Sequence, residues 1–230
     1  MRYLSLMPIK SKLFVAFLFI LFSFTTALAD ELSGQGLFVE RCVGCHVIKP
    51  PVENESIAIE LKKKAPSLRY AGSKFQKAFL ISWLQNPQPI RPLVYNSLTE
   101  FNRPTHLKLS EAFARDVAAY LMTLRSEDVV PLKIGAKDNL LGRKLYSVRY
   151  SCYACHRTKR ANGAKGEKGL SGGLSGPSLV GAGTRLNPDW IYAFLNSPRD
   201  LLPRGSMPVY AGIMSEEDLK ELTKYIATFK

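Results

Sequence analysis

The chain has 230 residues, of which 46% are hydrophobic and 22% are charged, and its formal net charge at pH 7 is +13. This length suits one large domain or two small ones. The composition is that of a globular protein and excludes a chain that is disordered over most of its length.

The first predicted element is a secretory signal peptide over residues 1–29. Three basic residues and no acidic residue precede Asp30, and an apolar run spans residues 13–29. The run ends in the sequence ALA, a small-x-small pattern typical of a cleavage site. The alternative is an uncleaved N-terminal membrane anchor, since the run is nearly long enough to span a bilayer. We therefore expect a periplasmic or otherwise exported protein.

Cleavage would leave 201 residues (230 minus 29) and lower the net charge from +13 to +10, because the segment carries three basic side chains. Nucleic acid is not an expected partner of an exported protein. The positive charge favours redox protein partners with acidic docking surfaces, or an anionic membrane face, and acts mainly on encounter rates. The alternative is that the charge serves only solubility.

The next feature is a pattern of cysteine and histidine that occurs twice. The two copies contain all four cysteines and two of the three histidines of the chain. A disulfide framework needs no adjacent histidine, and zinc sites usually keep their Cys and His pairs apart. C-x-x-C-H is the attachment signal for haem c, in which two thiols bond to the porphyrin and the imidazole binds iron. The sequence therefore predicts two covalently attached haem c groups, held by Cys42, Cys45 and His46 and by Cys152, Cys155 and His156.

With these motifs the chain resembles the dihaem class I c-type cytochromes, and the resemblance covers nearly all of the chain after the signal segment. It implies an all-α fold with two tandem class I cytochrome c domains, each wrapped around one covalently bound haem. The expected boundaries are 30–125 for domain 1, 126–135 for the linker and 136–230 for domain 2.

An internal repeat supports this duplication. Residues 65–68 match 176–179, residues 71–74 match 182–185, and residues 83–87 match 194–198, all at an offset of 111. Later pairs, such as Tyr120 and Tyr225, lie 105 apart, so the first copy carries six extra residues between Pro87 and Ser110.

Each copy reads as helical. Ser73 with Gln76 and Ser215 with Asp218 have the spacing of capping boxes, and Asn187 precedes a proline suited to the first helical position. The last helix of each copy has an apolar stripe at the helical period: Phe113, Val117, Tyr120, Leu121 and Leu124, and then Leu219, Leu222, Tyr225, Ile226 and Phe229.

Gly34 and Gly142 each stand four residues before an aromatic in the first helix of their copy. A glycine there lets another helix approach closely. In the resembled family the first and last helices cross at such a contact, and Tyr120 and Tyr225 are the expected partners.

The resemblance implies a distal loop in which Met-Pro precedes an aromatic and the methionine binds iron. Met207, Pro208 and Tyr210 match this pattern, which makes Met207 the expected sixth ligand in domain 2, with Met214 as the rival. A thioether ligand raises the reduction potential relative to a second imidazole.

Domain 1 departs from the pattern, because Arg103 stands where the methionine would precede Pro104. His106 is the remaining histidine and lies in the region expected to cross the haem face, so we predict that it is the sixth ligand. Lys108 and a vacant site are the alternatives. The expected iron ligands are thus His46, His106, His156 and Met207.

Two loops concentrate positive charge between each C-x-x-C-H motif and the following Pro-Ser-Leu segment. Such loops fit docking of acidic partners near a haem edge, or a solvated flexible loop with no such role. Their basic residues are Lys62, Lys63 and Lys64, and Lys159, Arg160, Lys165 and Lys168.

These features favour an exported dihaem cytochrome c that transfers single electrons between respiratory redox partners, either alone or in a membrane-associated complex. No catalytic residue is expected. One alternative is a dihaem enzyme, peroxidase-like or a small-anion oxidoreductase, with an open site at the domain 1 haem. A gas or redox sensor with a five-coordinate haem in domain 1 is a further alternative.

Overall fold

The computed structural model describes residues 31–49, 65–94, 97–159, 169–203 and 205–230. The predicted signal peptide lies outside the described residues, as do Lys62–Lys64 and most of the second basic loop. Within the described ranges, no helix combines the length and apolar character needed to cross a membrane. We refer to residues 31–125 as the first half and to residues 136–230 as the second half.

The described residues form short helices with very little strand. In the first half these are α1 (31–41), α2 (Ala71–Lys74), α3 (Lys77–Gln85) and α4 (Glu111–Thr123). In the second half they are α5 (Leu140–Lys144), α6 (Ala182–Arg185), α7 (Pro188–Asn196), α8 (Pro198–Leu201) and α9 (Glu216–Ile226). An antiparallel pair, β1 (Thr158–Lys159) and β2 (Leu170–Ser171), aligns Thr158 with Ser171 and Lys159 with Leu170.

Two predicted helix starts are confirmed and one is wrong. The Asn187 side chain accepts a hydrogen bond from the Asp189 amide at the start of α7, and the Ser215 hydroxyl accepts one from the Asp218 amide in α9. Ser73 instead lies inside α2, where its hydroxyl accepts from the Ser126 amide. A long-range contact thus uses the side chain that the local pattern assigns to a cap.

Two apolar clusters are buried, one mainly in each half, and the cluster of the second half also includes Tyr70 of the first. The last helix of each half contributes to its cluster. The predicted stripe of α4 is buried at Val117, Tyr120 and Leu121. The prediction is wrong at Phe113, which is 42% exposed and whose ring centre lies 5.9 Å from Arg41 Cζ. Burial of these side chains supplies the main stabilisation of a small helical unit.

The predicted helix crossings are confirmed in both halves. A Cβ atom on Gly34 would lie 2.0 Å from the Asp116 carbonyl oxygen, so α1 and α4 touch at this glycine. A Cβ atom on Gly142 would lie 2.6 Å from the Tyr225 Cβ, where α5 meets α9. Hydrogen is the only side chain that such a close approach accommodates.

The Gly34→Ala substitution should therefore lower the free energy of unfolding of the haem-loaded protein by about 1–3 kcal/mol or more, because the backbone of α4 must move. Gly36→Ala is a matched control two residues away, since a Cβ atom there meets nothing within 4 Å. In an open helical position alanine stabilises by about 0.5–1 kcal/mol. Denaturant unfolding of both variants compares the effects, and similar results would contradict this crossing.

The two halves differ between the crossing glycine and the first cysteine, where the second half has two extra residues. A π-helical turn, Leu145–Arg149, continues α5, and Ser151 then takes a left-handed conformation with φ 47°. π-turns absorb insertions inside helices and are frequent beside functional sites. The insertion therefore changes the approach to Cys152 and leaves the helix crossing intact.

The halves meet at equivalent positions of the repeat. Phe75 and Leu186, which are 111 residues apart, form an antiparallel bridge. The Gln76 amide donates to the Arg185 carbonyl at 2.9 Å, and the Asn187 amide donates to the Lys74 carbonyl at 2.8 Å. Each half thus presents the same segment to the other, which is the arrangement of a two-fold interface.

Candidate haem sites

Both C-x-x-C-H motifs fold into the same tight turn. The His46 amide donates to the Cys42 carbonyl at 2.9 Å, and the His156 amide donates to the Cys152 carbonyl at 3.1 Å. In the second half the turn includes a short 3₁₀ helix, Cys152–Ala154. All four thiols are free, and the second thiol of each motif is exposed. The turn therefore presents two unbonded thiols beside one imidazole.

A carbonyl group fixes the tautomer of each motif histidine. His46 Nδ1 lies 2.8 Å from the Pro66 carbonyl oxygen, and His156 Nδ1 lies 2.7 Å from the Pro177 carbonyl oxygen. A carbonyl only accepts, so Nδ1 carries the proton and Nε2 keeps its lone pair. This contact orients imidazole ligands in metal proteins. The matched Pro-Ser-Leu segments of the repeat thus position the two histidines.

Burial affects the titration of these groups. It lowers the pKa of the His46 and His156 imidazoles, which favours the neutral form that binds metals. It also raises the pKa of the Cys42 thiol and raises that of the Cys152 thiol to about 11. Cys42 and Cys152, the first cysteine of each motif, therefore remain protonated thiols near neutral pH, unlike the reactive cysteine of a redox-active dithiol.

In the first half, His106 lies opposite the motif histidine. The ring centres of His46 and His106 are 6.0 Å apart with an interplanar angle of 51°. His106 Nδ1 lies 2.8 Å from the Leu107 carbonyl oxygen, so its Nε2 is also left with a lone pair. The indole of Trp83 packs edge-on against His106 at 4.7 Å. The structure thus brings the two predicted ligands of this half together.

In the second half, the Met207 loop packs against the residues that precede the motif. Tyr210, three residues after Met207, packs against Tyr150, two residues before Cys152, with ring centres 5.3 Å apart. Burial raises the pKa of Tyr210, and Cys152 and Cys155 raise it further. Met207 is half-buried against the apolar cluster of this half. Met214, the rival ligand, is 6% exposed and belongs to that cluster.

A half-buried lysine and a buried arginine, Lys74 and Arg185, occupy equivalent positions of the repeat, and the sequence pattern does not predict their burial. The Lys74 ammonium lies 4.7 Å from the Trp190 ring, and Arg185 Nη2 donates to the Ser178 carbonyl at 2.7 Å. Burial lowers the pKa of Lys74 to about 8 and that of Arg185 to about 10, and Arg185 also lowers the pKa of Lys74. Pattern alone cannot show that Lys74 packs on Trp190, because this contact lies between the halves.

Trp190 carries a further unsatisfied donor. Its indole N–H is buried and has no hydrogen-bond partner among the described residues. A buried donor without a partner is costly unless an acceptor reaches it. Haem carries two propionate groups, which supply such acceptors.

Comparison with known proteins bears on the second half. A family model described as "Cytochrome C oxidase, cbb3-type, subunit III" matches residues 138–226. The chain contains a cytochrome c domain. That domain includes Cys152, Cys155, His156 and Met207, and it implies covalently bound haem c and electron transfer by a c-type cytochrome. A comparison with curated proteins gives no match.

The residues of this cytochrome c domain fit a haem. The two thiols lie beside a histidine whose Nε2 is available, and Tyr210 of the Met207 loop packs against Tyr150, two residues before Cys152. Trp190 and Arg185 offer buried donors for carboxylates. Haem c supplies a one-electron ferric/ferrous couple when it is bound.

Proposed function

We propose that the chain is an exported dihaem cytochrome c that transfers single electrons between respiratory redox partners. The observation that carries the proposal is the duplicated turn with two free thiols and a histidine held by a proline carbonyl. One such turn lies in the matched cytochrome c domain, and the other has the same hydrogen bonds in the first half.

The two-haem proposal rests on the likeness of the halves. Each has a glycine at the crossing of its first and last helices, one apolar cluster and one C-x-x-C-H turn. We therefore assign residues 30–125 and 136–230 to two tandem cytochrome c domains joined by residues 126–135. The amides of Lys133 and Ile134 in this linker donate to the Asp189 carboxylate, which ties the linker to α7.

In domain 1 we assign His46 and His106 as the two axial ligands. A metal–imidazole bond is about 2 Å long and the ring centre lies about 1 Å behind the nitrogen, so two coaxial ligands have centres roughly 6 Å apart. The ring centres of His46 and His106 are separated by 6.0 Å. In domain 2 we assign His156 and Met207, because Met207 stands in the Met-Pro-x-aromatic pattern of the resembled family and is half-buried against the apolar cluster of this half.

Because the two haems have different pairs of axial ligands, they have different reduction potentials. Two imidazoles support the ferric state, whereas a methionine thioether favours the ferrous state and raises the potential. Electrons then run downhill from domain 1 to domain 2. The paired segments at Phe75 and Leu186 hold the halves together along this route.

A spectroelectrochemical titration of the purified protein tests this assignment. We expect two separate one-electron steps, with the charge-transfer band of a methionine-ligated ferric haem lost in the step at higher potential. Two indistinguishable potentials, or a methionine band that reports both haems, would contradict the unlike pairs.

For location and partners, we propose export through a cleaved signal peptide over residues 1–29 and docking on acidic redox proteins. The net charge of +10 that remains after cleavage, which is +13 less three basic residues, supports such docking, and the docking would weaken as salt rises. The matching family is named as an oxidase subunit, which favours a place in a membrane-associated electron-transfer complex.

A further inference from the structure

A loop of the first half reaches the histidine-binding segment of the second half. The Ser178 amide donates to the Ile90 carbonyl at 2.8 Å, and Arg91 Nη1 donates to the Ser175 carbonyl. These two serines flank Pro177, whose carbonyl accepts the His156 Nδ1 proton at 2.7 Å. The first half therefore holds the short segment that orients the iron-binding histidine of the other half.

The loop is braced from within. Asn102 Nδ2 donates to the Arg91 carbonyl at 2.9 Å and to the Leu93 carbonyl at 2.8 Å, and the Asn102 amide donates to Pro92 at 2.9 Å. Leu93 is 5% exposed. Three hydrogen bonds from one residue and a buried leucine fix the backbone that carries the Arg91 side chain.

Part of this contact has a two-fold counterpart, because Arg69 Nη2 of the first half donates to the Asp200 carbonyl of the second at 2.8 Å. The charge of Arg91 is not repeated, because the offset of 111 places Leu202 at the equivalent position. A Cβ atom on Gly176, the residue after Ser175, would lie 2.7 Å from His156 Cε1 and Nδ1, so the segment that Arg91 binds lies against the imidazole.

A fixed cation beside an iron ligand disfavours the extra positive charge of the ferric state. The cation therefore raises the reduction potential of the haem, as a methionine ligand also does. The Arg91 side chain also donates a hydrogen bond to the Ser175 carbonyl. It therefore supplies the positive charge and also positions the Ser175–Ser178 segment.

We propose that Arg91 is a positioning residue of domain 1 that holds the Ser175–Ser178 segment of domain 2 and raises the reduction potential of the haem bound at His156. The proposal rests on the proposed function, since it requires a haem in each half. Under this proposal, the difference in reduction potential between the two haems depends on the contact between the halves as well as on the axial ligands.

The test compares Arg91→Gln and Arg91→Lys with Arg115→Gln in the full haem-loaded chain. Arg115 is an exposed arginine of α4 paired with Glu111, so its variant removes the same charge away from the interface. We expect Arg91→Gln to lower the reduced-to-oxidised ratio of the second haem at fixed ambient potential on the order of threefold. This equals about 30 mV for a one-electron couple.

The Arg91→Lys variant keeps the charge and should recover most of the shift, whereas Arg115→Gln should leave both potentials unchanged. The methionine charge-transfer band identifies the second haem, and haem stain after denaturation counts the haems. In a wild-type protein with two haems, an unmoved second potential or an equal shift of both potentials would overturn this proposal alone. A wild-type protein with fewer than two haems would overturn the proposed function together with it.

Discussion

Replacing Cys152 and Cys155 by alanine is expected to halve the haem that stays attached after denaturation. The two thiols add across the vinyl groups of one porphyrin, and no other described thiol lies in that half. His156 remains in the variant, so haem bound only through iron would be released by acid and organic solvent. Haem stain on a denaturing gel, divided by the amount of protein, measures the loss.

The reciprocal variant, with Cys42 and Cys45 replaced by alanine, is the matched control. It should also halve the stain but keep the methionine charge-transfer band, because His156 and Met207 are intact. Complete loss of attached haem in one variant, with full retention in the other, would mean that a single motif carries all the haem.

Replacing His106 by alanine is expected to open the first haem to carbon monoxide. In the wild-type protein both irons have six ligands in our assignment, so the reduced protein should resist the gas. The variant lacks the imidazole whose ring centre lies 6.0 Å from that of His46, and it should bind about one carbon monoxide per chain. Difference spectra of the reduced protein measure this binding.

Lys108→Ala is the control, since Lys108 is the rival ligand two residues away. We expect it to leave the spectrum and gas resistance unchanged. Carbon monoxide binding by the reduced wild-type protein to the same extent as by the His106 variant would indicate an open site. That outcome would favour an enzyme or a sensor.

The repeat and the cap at Ser215 could be predicted because they follow from the spacing of residues along the chain. The cap depends only on residues three positions apart. The helix crossings were expected from the resemblance to the dihaem cytochromes, and the structure places Tyr120 and Tyr225 at the contacts of Gly34 and Gly142.

The interface could not be predicted from those patterns. Alignment of Lys74 with Arg185 shows that the positions are equivalent but gives no information on whether they touch. Gln76 illustrates the same limit, because its amide donates to the Gly183 and Leu186 carbonyls at 2.9 Å each in place of capping a helix. Contacts between halves depend on docking, which spacing within one half does not determine.

His106 lies between these two cases. Its identity as a candidate followed from the scarcity of histidine, whereas its position opposite His46 depends on a loop without regular structure. The packing of Trp83 against the ring fixes it there. Composition could suggest the residue, and only the fold could bring it to the site.

Intact mass spectrometry of the purified, denatured holoprotein tests the central claim most directly. The account predicts the mass of the polypeptide from residue 30 onwards plus two haem groups that survive denaturation. A mass equal to the bare polypeptide, or to the polypeptide with one haem, would contradict it.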